Sequence, residues 1–72
     1  MSLNPRKFGY KAGCLVVCEV MKEEPGGYAV VVPKDDLPGF LPTQAVLLVG
    51  EKILAEYVCV HYNRLLLSTR FL

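Results

Sequence analysis

The stretch of sequence that reveals its structure most clearly is Ile53-Leu54-Ala55-Glu56-Tyr57-Val58-Cys59-Val60. Its side chains alternate with the two-residue period of a β-strand. The two predicted faces are Ile53, Ala55, Tyr57, Cys59 and Leu54, Glu56, Val58, Val60. The next residues, His61-Tyr62-Asn63, predict a tight turn in which Asn63 is best suited to a left-handed backbone. The run Arg64-Leu65-Leu66-Leu67-Ser68 then predicts the second strand of a hairpin.

Three further strands are predicted before this hairpin. They run from Cys14 to Lys22, from Tyr28 to Val32 and from Phe40 to Pro42, and the first two are rich in valine, which suits a pleated, half-buried surface. Turns rich in glycine and proline separate them, over residues 23–27 and 33–39. The predicted inner faces carry Val16, Cys18 and Val20 from the first strand and Tyr28, Val30 and Val32 from the second.

The segment from Thr43 to Gly50 has no clear period. Two interpretations fit it: a short helical turn with Thr43 as its N-cap, or a loop with buried side chains. No other part of the sequence shows a sustained helical period with caps. The prediction is therefore an all-β domain with at most one short helical turn, between strands three and four.

Five short strands predict a closed barrel, because an open sheet would leave long apolar edges unpaired. A five-stranded barrel with a linker after its third strand is the OB-fold. The 72 residues suffice for one domain. We expect residues 1–10 to be an N-terminal arm or linker, residues 11–70 the barrel and residues 71–72 a tail.

Charge is distributed unevenly along a chain whose net charge is only +1. Residues 1–11 and 57–72 together carry five lysines and arginines and no acid, whereas all seven acids lie between them beside three lysines. A basic patch is therefore expected only if the fold brings the two ends together. No apolar stretch approaches the ~20 residues that a membrane-spanning helix needs, so no membrane partner is expected.

The three cysteines and the single histidine bear on location and on metal binding. Cys14 and Cys18 are separated by about 13 Å along one predicted strand, too far for a disulfide, so we expect buried thiols and a cytoplasmic protein. A zinc site would need one of them with Cys59 and His61. Without a C-x-x-C motif, a nucleophile elbow or a phosphate loop, the sequence predicts no metal, no cofactor and no enzyme.

Four segments in a fixed order carry a resemblance to a known family. They are Lys11-Ala12-Gly13, Gly26-Gly27-Tyr28-Ala29-Val30, Gly39-Phe40-Leu41-Pro42, and Val49-Gly50-Glu51-Lys52 together with Arg64-Leu65-Leu66-Leu67-Ser68. Through them the chain resembles an S1 RNA-binding domain, an OB-fold module repeated in a large ribosomal protein and appended to ribonucleases and transcription factors. The resemblance covers residues 11–70. It implies a groove across strands two and three, where rings stack on bases and a basic residue of the last hairpin meets phosphate.

The chain departs from the family's pattern at several of these contacts. Gly26 and Ala29 stand where the family often has aromatic residues, and Pro42 where many members have histidine. Leu66 takes a position that is often basic, whereas Arg64 matches an arginine common in the family. The resemblance therefore implies an RNA-binding module that is weak on its own.

The prediction is a sequence-tolerant module for single-stranded RNA, acting in ribosomal or RNA-processing machinery. Its candidate contacts are aromatic and cationic residues on strands two and three, in loops and at strand ends: Lys22, Tyr28, Lys34, Phe40, His61, Tyr62 and Arg64. Two alternatives stay open. Arg64 either binds a ligand or pairs with Glu19 or Glu56. The barrel either binds RNA or is a protein-docking barrel that has lost most of its RNA-contacting residues. The ribosome and other protein domains of the same parent chain are the further partners considered.

Overall fold

The computed structural model describes residues 9–69, and all regular structure in that range is β-strand. The strands are β1 Leu15–Glu24, β2 Gly27–Val32, β3 Leu37–Pro42, β4 Lys52–His61 and β5 Arg64–Ser68. They form a closed barrel in the order β1-β2-β3-β5-β4. The predicted all-β, five-stranded, OB-like barrel is confirmed. Within residues 9–69 there is no helix long and apolar enough to cross a membrane.

β1 closes the barrel because it pairs with a different strand along each half. Its first half, Leu15 to Glu19, pairs antiparallel with β4. From Glu19 onward it pairs antiparallel with β2. A bulge at Met21, between the residues Val20 and Lys22 that pair with β2, bends the strand. The last seam joins β3 to β5 through a short parallel ladder that begins at Gly39. Each strand thus has two neighbours, as the apolar strand edges led us to expect.

The inner faces of the strands form one apolar core. Its fully or nearly buried members are Tyr10, Cys18, Val20, Tyr28, Val30, Val32, Leu37, Leu41, Ala55, Tyr57, Leu65 and Leu67. The inner faces predicted for the first two strands are confirmed, with Val16 only half-buried. Burial raises the pKa of the Cys18 thiol to about 11, so this thiol is protonated at neutral pH.

Tyr10, at the inner end of the predicted arm, packs into this core. Its hydroxyl donates a hydrogen bond to Asp35 Oδ2 at 2.8 Å, and its ring meets the ring of Tyr57 edge to face at 5.7 Å. Tyr10 therefore ties the chain before β1 to the loop between β2 and β3. Residues 1–8 of the predicted arm lie outside the described residues.

Two glycines of the family-like segments lie where backbone or core atoms approach closely. A Cβ on Gly27 would collide with the carbonyl oxygen of Leu41 and lie 2.8 Å from Cα of Pro42. A Cβ on Gly39 would lie 3.1 Å from Cγ2 of Val30 inside the barrel. Both positions therefore favour glycine because of space.

A β-bulge in β4 changes one of its predicted faces. The pairs with β5 shift between Tyr57, which lies opposite Leu67, and Cys59, which lies opposite Leu66. The extra residue, Val58, interrupts the alternation, so Cys59 points outward instead of sharing the inner face with Tyr57. The expectation of a buried thiol is wrong for Cys59, which is exposed.

β3 begins three residues earlier than predicted, at Leu37, and the loop before it is confined to residues 33–36. Proline and glycine in Leu37-Pro38-Gly39 favoured a loop. The side chain of Leu37 is nevertheless buried, and Pro38 precedes the first pair between β3 and β5. A proline is compatible with a strand where no partner needs its missing N–H.

The segment between β3 and β4 is a loop without a helical turn. Its amides bond to side chains rather than to carbonyls four residues back: Ala45 N to Thr43 Oγ1 (3.1 Å), Leu47 N to the Tyr28 hydroxyl (3.0 Å) and Leu48 N to Glu51 Oε1 (3.0 Å). Such bonds compete with helix formation. Leu47 packs half-buried against the core, but Val46 and Leu48 are exposed, so the expected burial holds only in part.

Candidate nucleic-acid interface

Two hairpin tips flank the outer surface of β3. The tip between β1 and β2 is Pro25-Gly26, with Gly26 at φ +87°, as a type II turn requires. The tip between β4 and β5 is Tyr62-Asn63, with φ values of +50° and +64°. Two successive positive φ values define a type I′ turn, which matches the twist of the flanking strands. The predicted left-handed backbone at Asn63 is confirmed.

Arg64, the first residue of β5, joins these two tips across the outer surface of β3. Its guanidinium nitrogens donate to both carboxylate oxygens of Glu24, at 2.9 and 3.3 Å. Its guanidinium carbon lies 4.7 Å from the centroid of the Phe40 ring, a cation–π contact. The hydrogen bonds from Arg64 lower the pKa of the Glu24 carboxyl, which keeps it ionised.

The partner of Arg64 is thus Glu24, and not Glu19 or Glu56 as the sequence suggested. Glu24 ends β1 immediately before the Pro25-Gly26 turn. It meets Arg64 because the closed barrel places β2 and β5 on either side of β3, so that the two side chains reach each other across this strand although 40 residues separate them along the chain. Sequence reasoning missed Glu24 because no local pattern predicts a contact over that separation.

Four of the seven predicted contacts line one pocket of about 190 Å³, together with Leu65 and Leu66. They are Phe40, His61, Tyr62 and Arg64, and we call this site the tip pocket. Tyr62 is 88 % exposed, and its ring meets the ring of His61 edge to face at 4.3 Å. The pocket thus combines a solvent-facing aromatic ring with a guanidinium group and an apolar wall.

The other three predicted contacts lie elsewhere. Tyr28 is in the core, where its hydroxyl accepts the hydrogen bond from Leu47, so its ring offers no open face. Lys34 is in the loop at the far end of the β2–β3 hairpin and lines a different cavity together with Lys52. Lys22 is exposed on β1 and does not line the tip pocket.

Lys22 does share the outer surface that leads to the tip pocket. It lies opposite Ala29 on β2, and Ala29 in turn lies opposite Phe40 on β3. The three side chains therefore stand in one row across three strands. Because the side chain of Ala29 is small, it leaves a shallow groove between Lys22 and Phe40. An extended ligand has room to lie in this groove.

Metal binding finds no support in the described part of the chain. Residues 9–69 hold no group of three His, Cys, Asp or Glu side chains arranged for an ion. Of the cysteines considered for zinc, Cys18 is buried inside the barrel, Cys14 is half-buried and Cys59 is exposed on the outside.

A scan of the chain against protein-family models gives no match, and neither does a search of curated protein sequences.

Proposed function

We propose that this protein is a sequence-tolerant binding module for single-stranded RNA and that the tip pocket is its contact site. The supporting observation is the convergence of Phe40, His61, Tyr62 and Arg64 on one open pocket. Aromatic rings stack on any base, at ~1–3 kcal/mol each, and a guanidinium matches the geometry of phosphate. This combination suits a polymer whose units alternate bases and phosphates.

The backbone at Tyr62 supports a role for its ring. The first position of a type I′ turn favours asparagine, aspartate or glycine, and a bulky residue at φ +50° is uncommon. Strained conformations of this kind concentrate at functional sites. Here the strain accompanies a ring that extends into solvent beside Arg64, where it is available to a base.

The resemblance to S1 domains supports RNA as the polymer and ribosomal or RNA-processing machinery as the setting, in the cytoplasm. The low net charge of +1 and the single guanidinium of the tip pocket imply weak binding by one module. Modules of this kind gain affinity when several act on one strand. The proposal therefore includes neighbouring protein domains as partners.

The test is a titration of isotope-labelled protein with an oligouridylate of about ten nucleotides, at low and at moderate salt. We expect resonance shifts concentrated at Phe40, Tyr62 and Arg64 that weaken as salt is added. Tyr62→Asn removes the ring and supplies a residue that the turn prefers. It should lower affinity about 5- to 150-fold, as the loss of ~1–3 kcal/mol from one stacked base implies.

Two matched variants make the test specific. Tyr62→Phe keeps the ring and should bind like the natural protein. Val46→Asn removes a side chain that is equally exposed but lies on the β3–β4 loop, and it should also leave binding unchanged. An absence of shifts at low salt, or equal losses in Tyr62→Asn and Val46→Asn, would contradict the proposal.

A second candidate function is protein docking, and the distribution of exposed apolar side chains favours it. On the outer surface of β1 and β4, Val17 lies opposite Leu54, with Leu15 nearby, and these side chains are 43–56 % exposed. Docking through this surface predicts that Val17→Asp abolishes partner binding and leaves any RNA binding intact. Loss of RNA binding in Val17→Asp, with the fold preserved, would argue against two separate surfaces.

A further inference from the structure

Glu24 lies beside the tip pocket and forms an ion pair with Arg64, which lines it. Its two carboxylate oxygens meet two guanidinium nitrogens of Arg64, at 2.9 and 3.3 Å. A phosphate group accepts the same pair of parallel hydrogen bonds from arginine. The oxygens of Glu24 therefore stand where two oxygens of a bound phosphate would stand.

The same contact also covers part of Phe40. Arg64 lies over the ring at 4.7 Å, and the glycine of the neighbouring tip, Gly26, approaches the ring edge closely enough that a Cβ there would lie 4.0 Å from Cζ. Phe40 is therefore only half-exposed. A base that stacks on this ring needs Arg64 to move, and Arg64 is held by Glu24.

The ion pair is accessible enough to exchange. The side chains of Arg64 and Glu24 keep 31 % and 23 % of their surface exposed. Ion pairs that remain partly in solvent contribute little to stability, so an incoming anion can replace the carboxylate at small cost. Both residues belong to hairpin ends rather than to the core, so the exchange leaves the barrel intact.

We propose that Glu24 is an internal substitute for the RNA phosphate and, from its position beside the tip pocket, a residue that determines the pocket's specificity. This inference rests on the proposed function. A nucleotide unit displaces the Glu24 carboxylate from Arg64 with its phosphate, and its base takes the ring surface that Arg64 uncovers. A phosphate without a base only replaces one anion by another on Arg64 and gains no stacking energy. The site therefore selects ligands that carry both a phosphate and a base.

The decisive variant is Glu24→Gln, which keeps the size of the side chain and removes its charge. It should bind the oligouridylate about two- to fivefold more tightly at low salt, because the competing ion pair is gone. The plot of log affinity against log salt should become steeper by about 0.7. In the natural protein the freed carboxylate takes up a cation and offsets the cation that the phosphate releases, whereas in Glu24→Gln no carboxylate is freed.

Glu23→Gln is the matched control. Glu23 is the neighbouring exposed carboxylate, its loss changes the net charge equally, and among residues 9–69 it takes part in no salt bridge. It should leave affinity and salt slope nearly unchanged. In an Arg64→Gln background Glu24→Gln should have no effect on affinity, since its action requires the guanidinium. Inorganic phosphate and an abasic ribose-phosphate oligomer should produce no shift at Phe40.

The outcomes separate this inference from the proposed function. If the natural protein binds RNA but Glu24→Gln binds equally or more weakly, Glu24 orders Arg64 instead of competing for it, and the inference is overturned while RNA binding stands. Equal gains in Glu24→Gln and Glu23→Gln would also overturn it, as a general charge effect. If neither the natural protein nor Glu24→Gln binds RNA at low salt, both proposals fail. Thermal unfolding of each variant confirms that the compared proteins are folded.

Discussion

Two polar contacts between distant parts of the chain differ in burial and in role. Tyr10 donates to Asp35 at 2.8 Å, and Arg64 donates to Glu24 at 2.9 Å. Tyr10 is 8 % exposed and belongs to the core, whereas Arg64 and Glu24 lie at hairpin ends and remain partly in solvent. The hydrogen bond of Tyr10 therefore stabilises the fold, and the contact of Arg64 is open to exchange with a ligand.

The two contacts also shift pKa values in opposite directions. Burial, followed by the hydrogen bond to Asp35 and the charge of that carboxylate, raises the pKa of Tyr10 above its ordinary value. The hydrogen bonds from Arg64 lower the pKa of Glu24. At neutral pH Tyr10 is therefore protonated and Glu24 is ionised. The contact between Tyr10 and Asp35 weakens in alkali, and the contact between Arg64 and Glu24 weakens in acid.

The largest expected effect comes from removing the buried ring. Tyr10→Ala leaves a cavity beside Tyr57 and should lower the free energy of unfolding by about 3 kcal/mol. Chemical denaturation at neutral pH measures the change. Tyr62→Ala removes a ring of the same size that is 88 % exposed and should have almost no effect on stability. Similar losses in both variants would show that Tyr10 does not contribute to the core.

Removing only the hydroxyl of Tyr10 should have a smaller effect that depends on pH. Tyr10→Phe should cost about 1 kcal/mol at neutral pH. In the natural protein a raised folded pKa means that stability is complete below the unfolded pKa near 10 and falls as the pH rises above it. In Tyr10→Phe this decrease in stability above about pH 10 should be absent.

Unfolding measured at several alkaline pH values provides the check. The Cys18 thiol, whose pKa rises from 9.0 to about 11, adds a separate decrease that begins at lower pH and remains in Tyr10→Phe. Identical pH profiles for the natural protein and Tyr10→Phe would contradict the role assigned to the hydroxyl.

The smallest effect on stability is expected at the partly exposed pair of Arg64 and Glu24. Glu24→Gln should lower the unfolding temperature by less than about 4 °C at neutral pH. Because the folded pKa of Glu24 is lowered, its contribution is present above its ordinary pKa of 4.5 and is lost as the pH falls below it. The stability difference between Glu24→Gln and the natural protein should therefore vanish in acid. A loss as large as that of Tyr10→Ala would make the pair structural and argue against exchange with a ligand.

Local sequence patterns predicted most of the barrel. The strands, the inner faces of β1 and β2, and the left-handed residue Asn63 all follow from alternation and turn chemistry. Predictions were wrong where a single residue interrupts the pattern. Val58 inverts the face of Cys59 through a bulge, and Pro38 lies in a strand although its residue type predicts a loop.

The candidate site was predictable only in part. Phe40, His61, Tyr62 and Arg64 were identified from residue type and resemblance, and the fold brings them together. Tyr28 and Lys34 belong to the core and to the far loop, respectively. The contact between Glu24 and Arg64 follows only from the closed barrel, because 40 residues separate the two along the chain.

The sequence by itself determined which residues form strands and which side of most strands is apolar, because those properties depend on neighbours one to four positions apart. Only the tertiary structure decided which charges meet and which rings remain open to solvent. Barrel closure places Glu24 on Arg64 and draws Tyr10 into the core, while the type I′ turn holds Tyr62 outside. These outcomes depend on contacts between residues far apart in the chain, which are fixed only when the strands pair in one register.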